Sequence, residues 1–202
     1  MTIGIIDYGA GNLRSIENAF KSFNSKVRIL KEPDELEKID SLVLPGVGNF
    51  GDAMKRLRKF REPLLEKIDT GMPFLGLCLG IQLIFEKSEE SPGVKGLEIF
   101  EGKCIRFKKN VKIPHMGWNQ IEKTKDCKIL KGIESGSDFY FVHSYHVVPK
   151  DRDIIVTTTN YGIKFPSVIE KDNIFATQFH PERSGALGLK ILKNFLAITN
   201  ER

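Results

Sequence analysis

Cysteine is scarce in this sequence. Three occur among 202 residues, Cys78, Cys104 and Cys127, an odd number with no CxxC spacing. That argues against a disulfide framework and a cysteine-rich zinc site, and it fits a reducing cytoplasmic setting. Long apolar runs are also missing: none approaches the ~20 residues that a membrane-crossing helix needs. The opening Met1-Thr2-Ile3-Gly4-Ile5-Ile6-Asp7 lacks a basic region ahead of an apolar stretch, so neither a secretory signal nor a membrane partner is expected. There is no basic block. The formal charge is +5, and the densest clusters, Lys55 to Arg61 and Arg106 to Lys112, are interrupted by apolar residues, so no nucleic-acid partner is expected. Fixed-period repeats and low-complexity tracts are absent too, which removes solenoid, collagen-like and linker-dominated architectures.

What is present is an ordinary globular balance, 41% hydrophobic and 28% charged. Runs rich in β-branched residues predict eight or more strands: Ile3 to Ile6, Val27 to Leu30, Ser41 to Leu44, Phe74 to Leu77, Cys104 to Phe107, Phe139 to Val142, Ile154 to Thr158 and Ile174 to Phe179. Helical spacing predicts helices over Asn12 to Phe23, Asp52 to Ile68 and Leu187 to Ile198, with Pro63 kinking or splitting the second. Alternation of strand and helix in the first half implies parallel strands joined by crossover helices. From Gly96 to Thr177 strands follow one another with turn signals, which predicts an antiparallel extension. Residues 1–202 therefore read as a single α/β domain: an open, mostly parallel sheet flanked by helices, around one hydrophobic core.

In such sheets ligands bind beyond the carboxyl ends of the strands. Two glycine-rich segments there lack the signatures of nucleotide sites. Asp7-Tyr8-Gly9-Ala10-Gly11-Asn12 has Arg14 where a dinucleotide fingerprint needs its third glycine, and Pro45-Gly46-Val47-Gly48-Asn49-Phe50-Gly51 lacks the GK[ST] ending of a phosphate loop. No cofactor is expected. The third segment, Phe74-Leu75-Gly76-Leu77-Cys78-Leu79-Gly80-Ile81-Gln82, places Cys78 between two glycines where a buried strand turns into a helix. This is the G-x-nucleophile-x-G pattern of a nucleophile elbow. A helix N-terminus aimed at the sulfur favours thiolate, and the N–H of Leu79 is offered to a developing oxyanion. The alternative is a buried core cysteine, which is the reading for Cys104 and Cys127.

A nucleophilic cysteine needs a base. Of four histidines, His180 ends the strand 174–179 and precedes Pro181-Glu182; in an extended chain Glu182 stays on its side and can orient the imidazole. His143 and His146, three apart, read as a polar strand end, since no further ligands at metal spacing accompany them; no metal is expected. His115 is either a turn residue or part of a contact surface.

The combination of Pro45-Gly46-Val47-Gly48, Gly76-Leu77-Cys78-Leu79-Gly80-Ile81-Gln82 and His180-Pro181-Glu182 resembles the class I (triad) glutamine amidotransferases, a flavodoxin-like α/β family. Three further segments, Asp7 to Asn12, Pro114-His115-Met116-Gly117-Trp118-Asn119 and Phe139 to Tyr145, look like the subfamily of glutaminase subunits serving imidazole glycerol phosphate synthase in histidine biosynthesis. The likeness spans essentially the whole chain. It implies that Cys78 attacks the amide carbon of glutamine, that His180 protonates departing ammonia and then activates water, and that Glu182 orients His180. It further implies an oxyanion hole of Leu79 with the Val47–Gly48 loop after a peptide flip, and a glutamine site of Gln82, Glu90, Ser144 and Tyr145. Glu90 has a plainer reading as part of a solvated helix end.

The resemblance also implies a heterodimer in which ammonia passes to a (β/α)₈-barrel cyclase subunit, yielding imidazole glycerol phosphate and aminoimidazole carboxamide ribotide. At 202 residues the chain leaves no room for that barrel, which typically needs ~250, so the acceptor is expected on a separate chain. Asn12, Met116 and Trp118, the last in a glycine-containing turn, are expected on the partner face. Rival readings are a paralogous amidotransferase serving amino-sugar or surface-polysaccharide synthesis, a catalytically silent binding module, and a thiol hydrolase.

Overall fold

The computed structural model describes residues 1–9, 12–108 and 111–200; Ala10 and Gly11 of the first glycine-rich segment, and two residues of the Arg106-to-Lys112 cluster, lie outside them. In chain order the elements are β1 (Thr2–Ile6), α1 (Leu13–Lys21), β2 (Lys26–Leu30), β3 (Ser41–Leu44), α2 (Phe50–Leu57), α3 (Arg61–Asp69), β4 (Phe74–Leu77), α4 (Leu79–Leu83) and β5 (Phe85–Ser88). There follow β6 (Phe100–Arg106), β7 (His115–Gln120), β8 (Glu122–Lys123), β9 (Asp138–His143), β10 (Tyr145–Pro149), β11 (Ile155–Asn160), β12 (Lys164–Lys171), β13 (Ile174–Thr177) and α5 (Gly185–Asn200).

Eight strands form one sheet in the order β2-β1-β3-β4-β13-β12-β11-β8. The first five are mutually parallel, and β12, β11 and β8 add antiparallel pairings. Parallel strands need crossovers, and the helices supply them on both faces. Strands β3, β4 and β13 are buried along their whole length, as their unbroken apolar runs require. Apolar side chains sort alternately to the two faces: Leu42, Leu44 and Phe74 pack with α2 and α3, while Val43, Leu75 and Leu77 pack with α1 and α5. Each such fully buried side chain contributes about 1.5–3 kcal/mol relative to exposure. The single core expected from sequence is thus two layers, one on each side of the sheet.

The helix expected over 52–68 is split, as Pro63 demanded, but the break falls earlier. Residues 58–60 form a 3₁₀ turn, and Pro63 sits in the first turn of α3, where its missing N–H costs nothing. The second half differs from the expected extension in one respect. Besides β8, β11 and β12, its strands enter two small sheets outside the main one, β7-β9 and β10-β6-β5, the latter with β6 parallel to β5 from the first half. Ser144 is the junction at which the chain leaves one small sheet and enters the other. On α5, Ile191, Leu192, Phe195 and Leu196 are buried as expected, whereas Leu187 faces solvent.

Candidate active site

Strands β4 and β13 lie side by side and in register, Leu77 opposite Thr177. Cys78 follows the first directly, and His180 follows the second by three residues, so two distant stretches of sequence reach the same sheet edge. At the elbow Cys78 takes φ 53° and ψ −101°, a conformation costly for a residue with a side chain. It is held there by its own N–H, which donates to Thr177 C=O at 2.8 Å. The turn is compact because Gly80 lies against β3: a Cβ there would stand 2.2 Å from the Leu44 carbonyl oxygen.

The side chains of His180 and Glu182 are 3% and 0% exposed, and Nδ1–H of His180 donates to Glu182 Oε1 at 2.8 Å. The pairing is not made by the extended chain expected from sequence. Strand β13 ends at Thr177, and residues 181–183 form a 3₁₀ turn that brings the carboxylate back under the ring. The segment is pinned by Ser184, whose hydroxyl donates to His180 C=O at 2.6 Å and accepts Tyr140 N–H at 2.9 Å. Among the described residues, His180 Nε2 is buried without a hydrogen-bond partner. Burial opposes charge on this imidazole, but the neighbouring Cys78 sulfur and the Glu182 carboxylate outweigh it and raise the His180 pKa well above the ordinary value. The arrangement of thiol, imidazole and carboxylate has the parts of an activated nucleophile.

A cavity of about 440 Å³ opens over Cys78, with Gln82, Glu90, Ser144, Tyr145 and Arg183 in its wall. Gln82 Nε2 donates to Tyr145 C=O at 3.0 Å. Glu90 lies in a turn after β5, not at a helix end; its Oε2 accepts the N–H of Phe50, the first residue of α2, at 2.6 Å. Arg183 had no signal in the sequence beyond its place after Glu182.

The loop Val47–Gly48 also borders the cavity, with Val47 40% exposed and Gly48 at φ 110°. In this conformation Leu79 N–H is already engaged: it donates to Gly46 C=O at 3.3 Å. The Pro45 carbonyl just upstream accepts the buried Tyr8 hydroxyl at 2.8 Å. The Gly46–Val47 peptide, which carries the Gly46 carbonyl, must therefore turn before Leu79 N–H is free for another acceptor.

The expected partner residues separate. Met116 and Trp118 are 62% and 58% exposed on one face of β7, so Trp118 stands on a strand rather than in a turn. The Asn12 side chain instead points inward and donates to Glu182 Oε1. His115 is neither in a turn nor on a contact surface; it is buried in β7, with Nδ1 3.0 Å from Nε2 of His143, its partner across the β7–β9 pairing. Cys104 and Cys127 are buried and neither lines this cavity, although the Cys104 thiol lies just behind its wall, donating to Gln82 C=O at 3.5 Å; burial raises both thiol pKa values, that of Cys127 to about 12. No helix among the described residues is long and apolar enough to cross a membrane.

This fold and this site define a class. The family model described as glutamine amidotransferase class-I matches residues 4–199, and the chain belongs to that family. More narrowly, it is 56% identical to imidazole glycerol phosphate synthase subunit HisH of Methanocaldococcus jannaschii, over 97% of this chain and 99% of that one. It is 52% identical to the subunit of the same name from Pyrococcus furiosus, over 96% and 97%. A crystal structure of a glutamine amidotransferase shares the fold with a TM-score of 0.74 at 18% identity, covering 98% of each chain.

Proposed function

We propose that this chain is the glutaminase subunit of an imidazole glycerol phosphate synthase. Glutamine enters the cavity over Cys78, held by Gln82, Glu90, Ser144 and Tyr145. The Cys78 sulfur forms a bond to the amide carbon. His180 passes a proton to the leaving nitrogen, which departs as ammonia. Water, activated by the same imidazole, then releases glutamate from the thioester and restores the thiol. Glu182 fixes the His180 ring so that Nε2 faces the sulfur. During both tetrahedral stages Leu79 N–H, freed from Gly46, joins a donor from the Val47–Gly48 loop.

The ammonia goes to a (β/α)₈-barrel cyclase subunit docked over Met116 and Trp118, an exposed aromatic of the kind that anchors interfaces. The observation that carries the assignment is the 56% identity over almost the full length of both chains to a subunit of that name. The similar names among these relatives leave the amino-sugar and polysaccharide alternative without support.

The test is reconstitution with a cyclase subunit, its ribulosyl aminoimidazole substrate and glutamine. Glutamate and imidazole glycerol phosphate are expected in equal amounts, with both lost in Cys78→Ala. Free ammonia supporting the cyclase while glutamine does not would overturn the reading. Trp118→Ala is expected to weaken complex formation; unchanged assembly and turnover would remove that residue from the interface.

A further inference from the structure

Two buried imidazoles beside the cavity are used by none of these steps. His115 and His143 are 3% and 6% exposed and lie inside an aromatic shell. His115 stacks on Tyr161 at 4.0 Å between ring centroids, and His143 packs on Phe107 and Phe165. A buried ring nitrogen without a partner is costly, so the proton positions follow from the contacts. His143 Nδ1 stands 2.8 Å from Tyr145 C=O, which only accepts, so Nδ1 carries the hydrogen. Neutral His143 then offers a lone pair on Nε2, and His115 Nδ1, 3.0 Å away, must donate to it. His115 Nε2 is left as an acceptor, and the Asn119 amide nitrogen lies 3.2 Å from it. Asn119 is itself fixed, donating to Asn160 C=O and accepting Gln120 N–H. Burial lowers the pKa of His115 to about 4 and that of His143 to about 3, in keeping with two neutral rings.

The chain of donors thus has one direction and ends on the Tyr145 carbonyl. That oxygen also accepts Gln82 Nε2, so a single backbone atom gathers two of the four residues assigned to glutamine. It lies just past Ser144, where no one sheet holds the backbone on both sides.

We propose that His115 and His143, as the neutral relay Asn119 to His115 to His143 to Tyr145, are positioning residues that set the Ser144–Tyr145 wall and the Gln82 amide for glutamine. The proposal rests on the glutaminase reading above. Because the wall would act on bound substrate and transition state alike, its loss raises KM and leaves kcat in place.

Two measurements test it. In nitrogen-resolved NMR of the full wild-type chain at neutral pH, both rings are expected as Nδ1–H tautomers; an Nε2–H or doubly protonated His143 overturns the relay, whatever the chain catalyses. In glutaminase kinetics of the reconstituted complex, His143→Leu is expected to raise KM for glutamine about tenfold with kcat within twofold. His143→Asn, whose amide can replace Nδ1–H, is expected to recover most of the loss. An unchanged KM in His143→Leu, or a fall confined to kcat, overturns the proposal. If His143→Leu does not fold, a folded His143→Asn with KM still raised tenfold also overturns it. A wild-type complex that does not hydrolyse glutamine fails the functional reading instead, and the tautomers still decide the relay.

Discussion

The Asn12 side-chain amide donates to Oε1 of Glu182, the same oxygen that receives Nδ1–H of His180. Asn12 precedes α1 and is a residue type suited to capping that helix, yet its side chain caps nothing there. It serves the carboxylate instead. Glu182 is buried, and among the described residues its other oxygen has no partner, so Asn12 and His180 are its whole support. Hydrogen bonds to charged groups are worth about 1.5–3 kcal/mol, and part of that is at stake in holding the ring. Asn12→Leu is therefore expected to lower glutaminase kcat about tenfold with little change in KM. Equal kcat for variant and wild type would show that His180 alone orients Glu182.

The bond from Leu79 N–H to Gly46 C=O occupies the donor that the proposed mechanism assigns to the oxyanion. Losing one oxyanion donor typically costs about 10²–10³ in kcat. The isolated chain is expected to hydrolyse glutamine slower than the cyclase complex by about that factor, with the substrate still bound. Comparable turnover numbers with and without the partner would mean that the loop turns freely on its own.

Three thiols give an internal comparison. All three are buried, Cys104 at 0%, Cys78 at 5% and Cys127 at 9% exposure, and burial raises the pKa of Cys104 and Cys127; what sets Cys78 apart is its place in the wall of the cavity beside His180. A glutamine-shaped electrophile is expected to label Cys78 alone, and excess glutamine to protect it. Peptide mapping reads the outcome; label on Cys104 or Cys127 at a similar rate would contradict the placement.

The buried histidines set an acid limit on stability. The ordinary imidazole titrates near 6.5, while His115 and His143 in the folded chain stay neutral down to about 4 and about 3. As pH falls from 6.5, the unfolded chain takes up protons that the folded chain does not. Stability is thus fully present above 6.5 and lost towards 4, by up to about 1.4 kcal/mol per pH unit for each ring. Denaturant midpoints of wild type and His115→Phe, followed from pH 7.5 to 4.5, are expected to converge as acid is added. Parallel curves would mean that His115 protonates in the folded state.

The elbow was legible because its information is local: Gly76, Cys78 and Gly80 must be small, nucleophilic and small within one turn. His180 and Glu182 were legible as a pair, although a 3₁₀ turn and not extended chain brings them together. The parallel strands were legible from their unbroken apolar runs. What sequence withheld were contacts made across folded distance. Nothing near Asn12 indicates a carboxylate 170 positions away, and His115 meets His143 only through the β7–β9 register. The Gly46 carbonyl on Leu79 is a choice of one peptide orientation, which no side chain encodes.

The sheet order also bears on biosynthesis. Strand β13, drawn from near the end of the chain, occupies an interior place between β4 and β12. A ribosome-bound intermediate that has not yet emitted residues 174–182 has an unsealed sheet, with the backbone edge of β4 bare, and lacks the imidazole proposed as the base for Cys78. On the mechanism proposed above, a chain stopped before residue 174 is inactive, and its bare β4 edge is exposed to strand-by-strand aggregation.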